Sequence, residues 1–297
     1  MNKELKGTML ALLAAVISGL SIPLNKIFIV NLDPLVFTSI RSLLIGIVFL
    51  AITFFRHERI NKKINIKYLA LIAIIGGAFA FLLFFDGLKL TTSGRAAFLQ
   101  KTMPLYIIVL AFIFLKEKIT KKYLYCILLM LIGIAVIYYS DIASNPLWLN
   151  PSLGDLLIIC ATFLWAIENT IAKKVMFKES NFIISFARMF FGGIILISVV
   201  LVLGKLEILM SLNSQQLLNI GISTIVLFGY VLFWYWSLKF INVSKASIIL
   251  LLAPVISFLI GVGFLGEPSP YSQIIGSALI LVGAYLVSNI KSEFRSI

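Results

Sequence analysis

Residues 88–117 read LKLTTSGRAAFLQKTMPLYIIVLAFIFLKE, and residues 238–267 read LKFINVSKASIILLLAPVISFLIGVGFLGE. Laid over one another without a gap, at an offset of 150 residues, they place Leu88-Lys89 on Leu238-Lys239, Pro104 on Pro254 and Glu117 on Glu267. The same offset puts Gly133 on Gly283. Nearer the N-terminus it becomes 147, matching Gly7 with Gly154, Lys26 with Lys173 and Arg41 with Arg188. The chain is a duplication, so the make-up of one copy decides the fold of both.

Each copy is a series of apolar runs. The 297 residues are 61% hydrophobic and 12% charged, with a mean hydropathy of +1.09, far above the roughly 45–50% apolar content of soluble domains. Runs of this kind cross a hydrocarbon core about 30 Å thick as helices. A transmembrane barrel would need a polar lumen face alternating with the apolar one, and that alternation is absent. The polar breaks delimit spans near 7–29, 34–55, 68–88, 94–115, 121–140, 154–176, 182–203, 217–239, 244–265 and 271–290. Turn residues support several breaks: Asp33-Pro34, Asn150-Pro151-Ser152 and Glu267-Pro268-Ser269-Pro270. The expectation is an all-α membrane protein with ten transmembrane helices in two repeats, residues 1–145 and 146–297. Five is an odd number, so the second copy enters the membrane from the opposite side and the repeat is inverted. Inverted repeats are the usual construction of secondary transporters, with a site between the halves near the midplane.

The formal charge of +13 follows from this topology rather than from a nucleic-acid partner. Of the 25 Lys and Arg residues, 18 fall in the connections and termini at one end, from Lys3 and Lys6 through Arg56–Lys67, Lys116–Lys122, Lys173–Lys178 and Lys239–Lys245 to Lys291 and Arg295. The other end holds Lys26, Lys89, Arg95 and Lys205. Basic connections stay in the cytoplasm, so both termini are expected there and the protein in the plasma membrane. The first apolar run has no small-residue cleavage site and reads as a retained helix. Cys126 and Cys160 lack disulfide or metal spacing and read as packing residues. No Walker loop or HExxH occurs, and His57 is the single histidine. The chain is therefore expected to have no catalytic residue, metal or cofactor.

Together these features resemble the EamA-type ten-helix members of the drug/metabolite transporter superfamily. The resemblance rests on Arg41 and Arg188 in the second helix of each half and on PLYIIVLAFIFLKE and PVISFLIGVGFLGE. It rests also on the Gly-bearing fifth helices LLMLIGIAVIYY and ALILVGAYLVSN, and on FLWAIENTIAKK. It implies export or exchange of small organic solutes through a central cavity lined by both halves. The superfamily includes amino acid exporters and nucleotide sugar carriers, so the solute stays open.

Polar side chains inside the spans are the site candidates, because each costs roughly 2.5–3.5 kcal/mol at a helix centre. Glu168 lies too deep to snorkel. It is either a cavity carboxylate, binding a cation or taking up a proton when desolvated, or it is satisfied by a neighbouring Arg. Trp165 and Asn169 share its helix turn. Its repeat counterpart is Ser21, within SGLSIPLNK, where Gly19 and Pro23 are expected to loosen or kink the helix and expose Asn25 to a cavity. Arg41 and Arg188 are expected to anchor structure by snorkelling, and Asp86 to pair with Arg95. Within FGYVLFWYWSLKF, an interfacial belt accounts for part of the cluster near the cytoplasmic end, and rings on the inward face, Trp234 among the candidates, could stack on substrate. Pro104 and Pro254 should break the fourth helices. Gln100 and Lys101 fall on Leu250 and Leu251, so the architecture tolerates leucine there and Lys101 is free to be a cavity cation or to snorkel.

The expected substrate-binding set is thus Asn25, Gln100, Lys101, Trp165, Glu168, Asn169 and Trp234. Gly19, Pro23, Arg41, Pro104, Arg188 and Pro254 are the structural set. The expected activity is secondary transport, outward, of a small organic metabolite such as an amino acid, with Glu168 as proton-coupling candidate. The excess of buried cations argues for a carboxylate or phosphate on the substrate, which keeps sugar phosphates and nucleotide sugars open. From another class, a scaffold or lipid-handling protein would lack a polar central cavity. The expected partners are the small-molecule substrate and the lipid bilayer, without nucleic acid; a homodimer is left open.

Overall fold

In a computed structural model of the chain, residues 2–28, 32–60, 66–139, 143, 151–266 and 270–291 are described. Ten long helices follow in order: α1 (Lys3–Phe28), α2 (Pro34–Phe55), α3 (Ile66–Leu90), α4 (Gly94–Leu115), α5 (Lys121–Ile137), α6 (Leu153–Met176), α7 (Asn181–Val202), α8 (Ser214–Leu238), α9 (Val243–Phe264) and α10 (Tyr271–Ser288). Among the described residues, nine are long and apolar enough to cross a membrane. The other, α5, has 17 residues, about 26 Å at 1.5 Å each. The Asn150 and Glu267-Pro268-Ser269 breaks, Lys62, Lys63, Arg295 and the 145/146 division lie outside the described residues.

Helix starts follow from local chemistry. Asp33 caps α2 ahead of Pro34, taking the Leu35 and Val36 amides. Ser152 with Asp155 and Asn213 with Gln216 close capping boxes at α6 and α8. Each supplies acceptors for amides that the first helical turn leaves unpaired. A short helix, Leu206–Met210, precedes α8; its five residues are too few to read as a span.

The packing repeats the sequence duplication. Helix α1 packs on α8 and α9, and α6 packs on α3 and α4; α2 meets α7, and α5 meets α10. Exchanging the halves maps each of these pairs onto another or onto itself. Small residues let the backbones touch, which matters where lipid offers no hydrophobic drive between helices. A Cβ on Gly46 would lie 2.4 Å from the Phe190 backbone, and one on Gly193 2.7 Å from the Leu43 backbone. Residue 43 is the counterpart of 190. Gly133 faces Gly276 and Ile280, and Gly283 faces Cys126 and Met130, again the same contact seen from each half. Outward faces are apolar: Phe54, Val202 and Phe264 are exposed and suit lipid.

Helix α1 continues through Gly19 and Pro23, although Pro23 has no N–H to give the Gly19 carbonyl; Gly19 is small because α9 sits against it, 2.6 Å from a built Cβ to the Ala253 carbonyl oxygen. Three expectations change. Asp86 pairs with Lys89 on its own helix turn, while Arg95 reaches Asp155 at the start of α6. Cys160 is exposed on the outside of α6, not packed inside. The prolines act unequally. Ahead of Pro104 the helix is interrupted at Lys101-Thr102, because proline supplies no N–H to the Gln100 carbonyl. Ahead of Pro254 the chain only tightens to a 3-10 turn over Leu250–Leu252.

Candidate functional site

Between the halves lies a cavity of about 380 Å³, walled by α1–α4, the end of α5, and α6–α9. Of the expected substrate-binding residues, Asn25, Gln100, Lys101, Trp165, Asn169 and Trp234 line it. Glu168 does not; it is fully buried one layer behind the wall. Arg41 and Arg188, expected to snorkel, instead turn into the cavity wall.

Arg41 is held by neutral partners. Its Nη1 donates to Asn25 Oδ1 at 3.1 Å and to Ser223 Oγ at 2.7 Å, and its guanidinium lies 4.4 Å from the Phe37 ring centre. Ser223 in turn donates to Asn25 Oδ1 at 2.7 Å. The Asn25 carbonyl oxygen is thus committed to bracing a cation across the two halves, so Asn25 is a positioning residue at the wall.

Arg188 is held by a carboxylate. Its Nε lies 3.6 Å from Glu168 Oε2, and the Tyr235 hydroxyl donates to Glu168 Oε1. Room for Glu168 comes from Gly76, where a Cβ would lie 2.1 Å from Glu168 Cγ. Both Gly76 and Arg188 sit on π-helical turns, Ile72–Phe79 in α3 and Ala187–Phe191 in α7, that pack on each other. Such turns widen the helix and re-aim side chains, and they recur at functional sites.

Aromatic rings form the apolar wall. Trp165 meets Phe81 and Phe84 at centroid distances of 5.2 and 5.4 Å, and its Nε1–H donates to the Gly76 carbonyl at 3.2 Å. Trp234 stacks on Tyr230, and its Nε1–H donates to Asn169 Oδ1 at 2.7 Å. Asn169 Nδ2–H donates to the Trp165 carbonyl at 2.8 Å. Both polar ends of Asn169 are therefore engaged with the two tryptophans, and it orients rings.

Gln100 and Lys101 stand where α4 breaks, and neither side chain has a hydrogen-bond or ion-pair partner among the described residues. Across the cavity their counterparts Leu250 and Leu251 line the wall from α9. The break brings a cation to mid-span on one side only. Sequence reasoning missed Tyr230, Tyr235, Ser223 and Gly76. The tyrosines were visible only as members of an aromatic run, and Ser223 only as a lone hydroxyl. Among the described residues no group of His, Cys, Asp and Glu is arranged to hold a metal.

The model of the EamA-like transporter family matches residues 5–139 and again residues 152–289, and the chain belongs to that family. An "Uncharacterized transporter" of Archaeoglobus fulgidus is 29% identical over 277 residues, covering 91% of this chain and 94% of its own. A "Probable amino-acid metabolite efflux pump" of Salmonella typhimurium is 26% identical over 296 residues, covering 95% and 94%. A crystal structure of a protein 16% identical in sequence superposes with a TM-score of 0.77 over 95% of this chain and 98% of that one, which supports the fold. The chain is a multi-pass membrane transporter and not an enzyme.

Proposed function

We propose that the chain exports a small organic metabolite bearing a carboxylate, an amino acid being the simplest case, by secondary transport across the plasma membrane. The observation that carries this reading is the charge balance of the cavity wall. Arg188 is answered by Glu168, whereas Arg41 and Lys101 face the same space without a carboxylate partner among the described residues. A buried guanidinium and a half-buried ammonium left so favour a bound anion, and a guanidinium suits a carboxylate in bidentate contact. The rings of Trp165 and Tyr230 offer apolar surface and ring faces for the rest of the substrate. The Salmonella relative's name, an amino-acid metabolite efflux pump, supports the same substrate class and direction. The basic connections at one end support cytoplasmic termini.

Glu168 is our candidate for proton coupling, because protonation would release Arg188 into the cavity and so link a proton to the wall charge. Its test is Glu168→Gln in proteoliposomes under an imposed pH gradient: export should lose its dependence on the gradient. An unchanged pH dependence discards the coupling and leaves the transport reading standing. The transport reading is tested by uptake of labelled amino acids, nucleosides and sugar phosphates into proteoliposomes. Lys101→Leu, the change its own repeat contains, should raise KM for the acid about tenfold, the loss of one charge-assisted contact. Transport of neutral solutes alone, or an unaltered KM, would overturn it.

A further inference from the structure

A second recess lies away from the cavity, where α5 begins and α10 ends. Its volume is about 450 Å³, and Lys118, Thr120, Lys121, Lys122, Asn289 and Lys291 line it, with no acidic side chain among its described lining residues. All four lysines are exposed. Basic residues occur in every connection at this end; four of them surround this one concavity.

The backbone adds to the same sign. Thr120 Oγ takes the Tyr123 amide at the start of α5, which leaves the first amides of the helix, the positive end of its dipole, directed to the recess. The last carbonyls of α10 are taken up from inside. Lys245 Nζ, fully buried, donates to the Ser288 and Ile290 carbonyls at 3.0 and 2.6 Å, and Glu4 answers its charge at 2.7 Å. The recess therefore presents the start of α5 and ammonium groups, while α10 carbonyls at its end are bonded to Lys245.

The duplication supplies the control. At the offset of 150, Lys121 and Lys122 correspond to Tyr271 and Ser272, and Lys291 to Asp141. The α5–α10 pairing forms at the opposite end without this charge, so the lysines are not required by the fold. Immediately along the pair from the recess, Leu124, Tyr125 and Leu128 of α5 and Tyr285 of α10 are exposed. An anionic head joined to apolar chains matches both parts. We propose that the recess binds the phosphate headgroup of an anionic glycerophospholipid, with its acyl chains along the α5–α10 surface. The site is independent of the transported solute.

The test uses the full chain in detergent, titrated with phosphatidylglycerol or phosphatidylcholine and read by native mass spectrometry and thermal midpoint. Phosphatidylglycerol should bind at least tenfold tighter than phosphatidylcholine, and each lysine removed should cost roughly fivefold. Lys121→Gln/Lys122→Gln should lose most of the preference, and Lys291→Gln, beyond the last helix, should lose about fivefold even if the double variant folds poorly. Lys174→Gln/Lys239→Gln, at the same end but outside the recess, should change nothing. Equal binding of the two lipids, or an equal loss in that control pair, overturns the site. Full displacement of the lipid by millimolar inorganic phosphate also overturns it, since the acyl chains would then contribute nothing.

Discussion

Arg41 and Arg188 occupy the same position in the two halves of one duplication, yet their surroundings differ in kind. Arg41 sits on a regular α-helix and leans on a carbonyl oxygen and a hydroxyl. Arg188 sits on a π turn and leans on a fully buried carboxylate that a tyrosine also holds. The difference traces to single residues: Ser21 stands where the second half has Glu168, and the missing side chain of Gly76 makes room for that carboxylate. The duplication thus keeps the two cations and varies only what answers them. One arginine is spent on structure, and the other remains available to a ligand.

That division is broken most severely by removing the one counter-charge. Glu168→Ala strands Arg188 in a buried site, and taking one partner from a buried pair costs about 3–5 kcal/mol. The repeat counterpart, Ser21→Ala, removes only a hydroxyl that donates to the Ser18 carbonyl of its own helix, worth about 1 kcal/mol or less. Thermal unfolding of the two variants in the same detergent should differ accordingly. Equal losses would mean that Glu168 and Arg188 are not a stabilising pair.

Arg41→Met should show the opposite signature. Asn25 and Ser223 remain hydrogen-bonded to each other at 2.7 Å without it, so stability changes by about 1 kcal/mol or less. Substrate affinity, however, should fall on the order of tenfold to a hundredfold if Arg41 takes the carboxylate, as for a lost charge-assisted hydrogen bond. Binding measured by scintillation proximity on purified protein separates the two effects. A variant that loses stability but keeps affinity would make both arginines structural.

The parts of this arrangement that could be read from sequence are those that leave a trace in spacing. The two offsets predicted the inverted pairing and the proline positions, and comparison of Lys101 with Leu251 marked the cation at the α4 break. What could not be read depends on which face of a helix meets which neighbour. Seven residues inside a helix, a guanidinium can reach either water or the bundle centre; Ser223, on the other half of the chain, decides it for Arg41. Asn25 and Asn169, expected to meet substrate, line the cavity, but nothing in the spacing showed that the Asn25 carbonyl oxygen also holds Arg41 and the Asn169 amide two tryptophans. The π turns carry no composition signal, and nothing in the spacing singles out Gly76-Gly77.

The smallest contrast lies at the entry to the same two helices. Asp33 caps α2 and its counterpart Ser180 caps α7, each accepting first-turn amides. Only Asp33 is charged, and it also binds Lys205. Burial would push its carboxyl up, but the Lys205 hydrogen bond and charge and the Val36 and Leu35 amides hold it below the usual aspartate value. A carboxyl with a lower pKa in the folded state contributes stability above its unfolded pKa of about 3.9, and loses it as the pH falls through the folded value. Serine caps a helix about as well as aspartate, so Asp33→Ser leaves the ion pair as the difference, roughly 0.2–1 kcal/mol at neutral pH. Between neutral pH and about pH 3, the melting temperature of the variant should fall less steeply than that of the unaltered chain. Parallel acid profiles would show that Lys205 contributes nothing at Asp33, and that the caps of the two halves are equivalent despite their chemistry.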